Sequence, residues 1–161
     1  MICGFYVATF LVSCTNRHRQ LDISRQIIVL QENVRDECLV DFMETHPLTV
    51  LFYIDGDCSS CMLELPWWRD FFIQHDALNP VLVVHTAYED AFLAYMRVHK
   101  YSFPMVFDSE LTIWRKNHFP PQVKMLVLNR YREILYMQDP LLDPSFLQHY
   151  QCWVQTYINL N

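Results

Sequence analysis

Apolar positions along the chain fall into two patterns, continuous runs and helical stripes. Residues 48–54 (LTVLFYI) are almost continuously apolar, the signature of a central strand buried on both faces. Residues 80–86 (PVLVVHT) repeat that pattern. Shorter runs at 25–30 (RQIIVL), 103–108 (FPMVFD), 124–129 (KMLVLN) and 133–137 (EILYM) also read as strands. Between them the spacing turns helical. Val34, Cys38, Leu39 and Phe42 recur at helical intervals, which predicts a helix over 33–45 with Asn33 as its cap and His46-Pro47 as its end. Further helices are predicted from Cys58 to about His75, over 88–99, and from Ser145 to about Asn159. Asp55-Gly56-Asp57 supplies a turn between the strand at 48–54 and the helix that begins at Cys58. Alternating strands and helices imply an α/β domain around a mixed sheet.

Composition narrows the picture without changing it. At 161 residues and 52% hydrophobic, the chain suffices for one domain with a sizeable core. No repeat, low-complexity tract or Gly/Ser linker is visible. The net charge is −6, and the only basic cluster is Arg17-His18-Arg19, so nucleic acid is excluded as a partner. The six cysteines (3, 14, 38, 58, 61 and 152) are too sparse for a disulfide scaffold.

The apolar run from Phe5 to Val12 is too short for a membrane helix, which needs about 20 residues, and suits an export signal. Leu11-Val12-Ser13-Cys14 resembles the lipobox of bacterial lipoproteins. That resemblance implies a signal segment over 1–14, lipid attachment at Cys14, a polar tether over 15–24 and a single domain over 25–161. It places the protein in the bacterial cell envelope, held to the membrane by a lipid anchor and facing the periplasm, where disulfides persist. Met1-Ile2-Cys3-Gly4 carries none of the Lys or Arg of a signal. The alternative is a buried segment with an incidental cysteine and a cytoplasmic protein.

Candidate chemistry centres on Cys58-Ser59-Ser60-Cys61. A zinc site needs about four ligands, and this one pair has no second pair and no suitably spaced histidines beside it, so no metal is expected. Asp55 stands where a peroxidase of the peroxiredoxin type would carry threonine. A buried strand, a tight turn, a CxxC opening a helix, and Pro66 five residues after Cys61 together resemble the thioredoxin superfamily, in its TlpA/AhpC-like branch, over residues 48–158. The fold implied is thioredoxin-like, a central mixed β-sheet flanked by helices. The implied function is a thiol–disulfide oxidoreductase acting on protein thiols and disulfides, with an unnamed reductant to recycle it. It needs no cofactor beyond the redox-active Cys58–Cys61 disulfide. Cys58, at a helix start where an anion is favoured, would be the nucleophile, and Cys61 the resolving thiol. Ser59 and Ser60 would donate hydrogen bonds to the thiolate.

Three positions depart from the family pattern. Val123 aligns with the family's cis-proline, with Pro120 and Pro121 two or three residues early as an alternative edge for a substrate groove. Asp55 and Asp57 replace the usual aromatic before the first cysteine and would oppose a thiolate there. LTVLFYI carries no carboxylate to accept a proton. These departures point to the alternative function, a thioredoxin-fold binding or structural lipoprotein whose cysteine pair is static. Elsewhere, Trp67 and Trp68 are read as packing, as are Trp114 and Phe119, and His85 as structural. Cys38 and Cys152 are expected on apolar helix faces as buried free thiols.

Overall fold

The computed structural model describes residues 19–23, 27–28, 37–120 and 123–158. The expected signal segment over 1–14, with Cys14, lies outside them, as do Asn33 and Pro121.

The run at 48–54 forms β3 (Leu48–Asp55), the middle strand of a five-stranded sheet. β4 (Asn79–His85) lies parallel to it, with Asp55 opposite His85, and β5 (Met105–Phe107) lies parallel to β4. On the other side β6 (Met125–Asn129) pairs antiparallel with β3, and β7 (Ile134–Gln138) pairs antiparallel with β6. The order is therefore β5-β4-β3-β6-β7. A small antiparallel pair, β1 (Ile27–Ile28) with β2 (Glu37–Cys38), stands apart from this sheet.

Continuous apolarity in β3 follows from its having two cores to fill. Val50, Phe52 and Ile54 enter one core, shared with α3 (Leu65–Gln74), α4 (Glu89–Val98) and α6 (Phe146–Trp153). Leu51 enters the other, with α1 (Leu39–Thr45) and α5 (Thr112–Lys116). Phe52 is fully buried, with the rings of Trp68, Phe72 and Phe103 centred 5.1, 5.0 and 5.1 Å away. Truncating such a residue to alanine costs about 3–5 kcal/mol, so this aromatic cluster fixes the helix that follows the cysteines onto the sheet.

Several predicted bounds shift for identifiable reasons. The helix expected over 33–45 begins only at Leu39, because Glu37 and Cys38 are committed to backbone pairing with Ile28 and Ile27. The helix expected from Cys58 to His75 is two: α2 (Ser59–Met62) and then α3. Pro66 has no N–H to give to Met62, so the helical ladder is interrupted over Leu63 and Glu64. α5 leaves no mark in the sequence pattern, being too short for periodicity. Buried Asp108 sets its start by accepting the Thr112 N–H at 2.6 Å and the Ile113 N–H at 2.9 Å. α6 ends at Trp153 and passes into a π-helical turn over Val154–Ile158.

The polar tether drawn over 15–24 also meets a correction at its end. Leu21 and Ile23 are buried in the core, the Leu21 N–H donates to the Arg132 carbonyl at 2.8 Å, and Gln20 bridges to Glu133. Apolar Leu21 and Ile23 gain more by covering the sheet than by standing in water, so residues 20–23 are part of the domain. Cys38 is free and half-buried, at the junction of β2 and α1 instead of on a helix face. Cys152 is half-buried on α6 and disulfide-bonded, contrary to the expected free thiol. Among the described residues, no helix is long and apolar enough to cross a membrane.

Candidate functional site

The cysteine pair sits where β3 gives way to α2, at the C-terminal end of the three parallel strands β3, β4 and β5, where α/β sheets place their sites. The Gly56 N–H donates to the His85 carbonyl at 2.7 Å, tying the turn to the end of β4. Phe92 of α4 packs against this turn so closely that a Cβ on Gly56 would lie 2.8 Å from its Cδ2. A larger residue there would force the Phe92 ring to shift.

Cys58 is the N-cap of α2. Its Sγ accepts the Cys61 N–H at 3.3 Å and lies 3.1 Å from the Ser60 hydroxyl. Hydrogen bonds from the Cys61 thiol, from Ser60 and from the Cys61 backbone lower the Cys58 pKa below the ordinary thiol value. α2 is a single turn, so these local donors do the work that was expected of a helix dipole. Of the two serines, Ser60 holds the sulfur, while Ser59 lines a groove beside it.

Cys61 behaves oppositely. Burial, the hydrogen bond to Cys58 and the charges of Cys58, Asp55 and Glu64 push its pKa up to about 11. Both cysteines are free thiols. The pair thus holds one anion-prone sulfur at the helix start and one protonated sulfur a turn further in, both on half-buried residues.

The two aspartates are deployed differently from expectation. Asp57 turns its carboxylate onto Thr86, accepting its hydroxyl at 2.6 Å, and onto the Ala87 N–H at 3.1 Å. These bonds hold the Asp57 carboxyl below the usual range. Asp55 accepts the Asp57 N–H at 3.0 Å, closing the turn, and its charge acts on Cys61 and Tyr53. Neither carboxylate raises Cys58.

Two charged residues, Glu64 and Lys124, also stand near the pair. Glu64 forms an ion pair with Lys124, which lies just ahead of β6. Glu64 is three residues past Cys61, a one-turn spacing visible in the sequence. Lys124 arrives through β6 pairing with β3, a tertiary contact with no local signal; its carbonyl accepts the Tyr53 N–H at 2.9 Å.

Solved structures with the same arrangement of strands and helices include a candidate thiol:disulfide interchange protein DsbE from Chlorobium tepidum (TM-score 0.60, 14% identity, covering 85% of this chain and 99% of that one). The chain has the thioredoxin fold. StoA from Bacillus subtilis matches with a TM-score of 0.54 and 20% identity over 77% of this chain and 96% of its own. The thioredoxin domain of a thiol-disulfide oxidoreductase from Bacteroides vulgatus matches with a TM-score of 0.57 and 11% identity over 86% and 98%. No family profile and no curated protein matches the sequence.

Within this thioredoxin fold, Val123 is buried against the α1 and α5 side of the sheet, two residues before β6. Its N–H donates to the Pro120 carbonyl at 3.1 Å. No peptide bond among the described residues is cis. Pro120 is exposed, and the groove that borders the cysteine loop is lined by other residues. Trp114 and Phe119 are buried, with ring centres 5.5 Å apart, and line a separate groove of about 480 Å³ with Tyr53. Trp68 is a core residue and Trp67 packs on its edge at 4.7 Å. His85 is half-buried, and its Nδ1 has no hydrogen-bond partner among the described residues. Its carbonyl serves the turn, and its charge helps to lower Asp57.

Proposed function

We propose that the chain is a thiol–disulfide oxidoreductase of the thioredoxin fold, with Cys58 as attacking thiol and Cys61 as resolving thiol. The observation that carries the reading is the placement of Cys58 at the start of α2, where its Sγ accepts the Cys61 N–H at 3.3 Å and lies 3.1 Å from the Ser60 hydroxyl; these bonds lower Cys58, while burial raises Cys61 to about 11. Such a split makes Cys58 the readier thiolate of the two and keeps the second sulfur protonated until a mixed disulfide has formed. The solved neighbours named as interchange proteins or oxidoreductases support the same class. The protein would act on protein thiols and disulfides, with no cofactor beyond its own cysteine pair.

We also propose the cell-envelope location and lipid anchor at Cys14, on the strength of the apolar run and the LVSC tetrapeptide. Radiolabelled palmitate incorporation that disappears in Cys14→Ser is the expected result; label retained in that variant would refute the anchor.

The rival reading, a static pair, draws on Val123 at the family's cis-proline position. The two separate on turnover. Purified protein should reduce an insulin-type disulfide substrate with a dithiol as electron source, and Cys58→Ser should abolish that reduction. A wild-type rate equal to that of Cys58→Ser would assign the protein to the static class.

A further inference from the structure

The cysteine loop borders a groove of about 600 Å³ that the thiol chemistry does not by itself require. Its lining includes Ser59, buried Met62 and Phe92, and exposed Leu63 and Tyr88. Leu63 is 75% exposed and Tyr88 70%. Single exposed apolar residues are ordinary. Two large ones lining one groove, beside a reactive sulfur, form a patch of the kind that marks an interaction surface.

Tyr88 also borders a second concavity of about 590 Å³, on whose rim stand Glu89 and Asp90. With Asp57 these are three carboxylates, and no Lys, Arg or His lines either concavity. Glu89 and Asp90 occupy the first turn of α4, where the helix dipole alone would favour them. Their effect on an incoming partner is nonetheless a negative field beside an apolar slot.

Resting on the oxidoreductase reading above, we propose that this groove docks an extended peptide segment of a substrate protein. Its disulfide-bonded cysteine is flanked by a large apolar side chain for the slot between Leu63 and Tyr88, and by Lys or Arg for the carboxylates beyond. Ser59 places the groove next to Cys58, so a peptide held there brings its own sulfur within reach. The Cys58 thiolate attacks the substrate cysteine's sulfur, the substrate S–S bond breaks, and the other substrate sulfur leaves as a thiolate. Cys61 then gives up its proton and attacks the Cys58 sulfur. That step forms the Cys58–Cys61 bond and releases the peptide cysteine, which takes up a proton. The substrate disulfide gains two electrons, the pair loses two, and a dithiol reductant restores it.

The test uses the reduced full chain and two peptides of equal length, each carried as a mixed disulfide with glutathione. One has Leu and two Lys around its cysteine; the other has Ser and two Asp. Oxidised glutathione alone is the small-disulfide control. The intact protein should release glutathione from the first peptide roughly tenfold faster than from the second. Leu63→Ser combined with Tyr88→Ser should cut that ratio to about twofold, and so should Glu89→Lys combined with Asp90→Lys. Equal rates for both peptides in the intact protein, or a ratio that both double variants leave unchanged, would overturn the groove assignment while leaving the chemistry standing. Failure to react with oxidised glutathione as well would overturn the oxidoreductase reading, and the groove with it.

Discussion

The Asp57 carboxylate accepts the Thr86 hydroxyl at 2.6 Å, and so looks toward the end of β4 although Cys58 is its neighbour in sequence. That orientation lets an acidic turn precede a thiolate without suppressing it. Asp57 is held by Thr86 and Ala87, while Cys58 is served by Ser60 and Cys61.

Thr86→Val removes one of the two groups that hold Asp57 in place. The freed carboxylate can then approach Cys58, whose thiolate becomes less favourable. Alkylation of Cys58 by iodoacetamide at neutral pH should slow by roughly two- to fivefold. An unchanged rate would show that the Asp57 orientation does not matter to the sulfur.

The opposite shifts of the two cysteines predict a two-step pH profile. Cys58 has a lowered pKa, so its alkylation should remain fast below the ordinary thiol range and fall only as pH drops through that lowered value. Cys61, at about 11, should stay unlabelled until the pH approaches that value. Mass-resolved alkylation between pH 5 and pH 11 reads both; labelling of the two sulfurs in parallel contradicts the assignment of roles.

Gly56→Ala should destabilise the domain by about 1–3 kcal/mol, because the new methyl meets the ring of Phe92 at 2.8 Å and Thr86 Cβ at 3.1 Å. Urea unfolding measures the loss. Phe92→Leu in the Gly56→Ala background should recover part of it, since the smaller side chain vacates the position of the clash.

Lys124→Met removes the partner of Glu64. Both side chains are about a third exposed, so stability should change by less than about 1 kcal/mol. The uncompensated Glu64 charge then acts more strongly on Cys61, whose pKa rises further, and the resolving step slows. A mixed disulfide between Cys58 and a peptide should persist roughly two- to fivefold longer. A large loss of stability with an unchanged lifetime would mark the pair as structural only.

Much of this was legible in the sequence, and the exceptions share a cause. LTVLFYI, PVLVVHT and KMLVLN announce buried strands because their neighbours on both faces are apolar, and CSSC announces its helix start. What local pattern did not contain was supplied from a distance. The antiparallel pairing of Ile27–Ile28 with Glu37–Cys38 shortened α1, and buried Asp108 started α5. Asp57 illustrates the limit best. Its place two residues after Asp55 is plain in the sequence, but its orientation away from Cys58 is not, because the group that turns it is Thr86, 29 residues later. The Lys124 partner of Glu64 is 60 residues away and invisible for the same reason.

The reduction potential of the Cys58–Cys61 pair tests the central claim most directly. A soluble chain lacking residues 1–14 would be equilibrated in graded dithiol buffers and its redox state read by alkylation mass. The oxidoreductase reading predicts a reversible two-electron transition between about −120 and −270 mV, the range of exchange catalysts. A pair that remains oxidised below about −300 mV is a structural disulfide, and would contradict it.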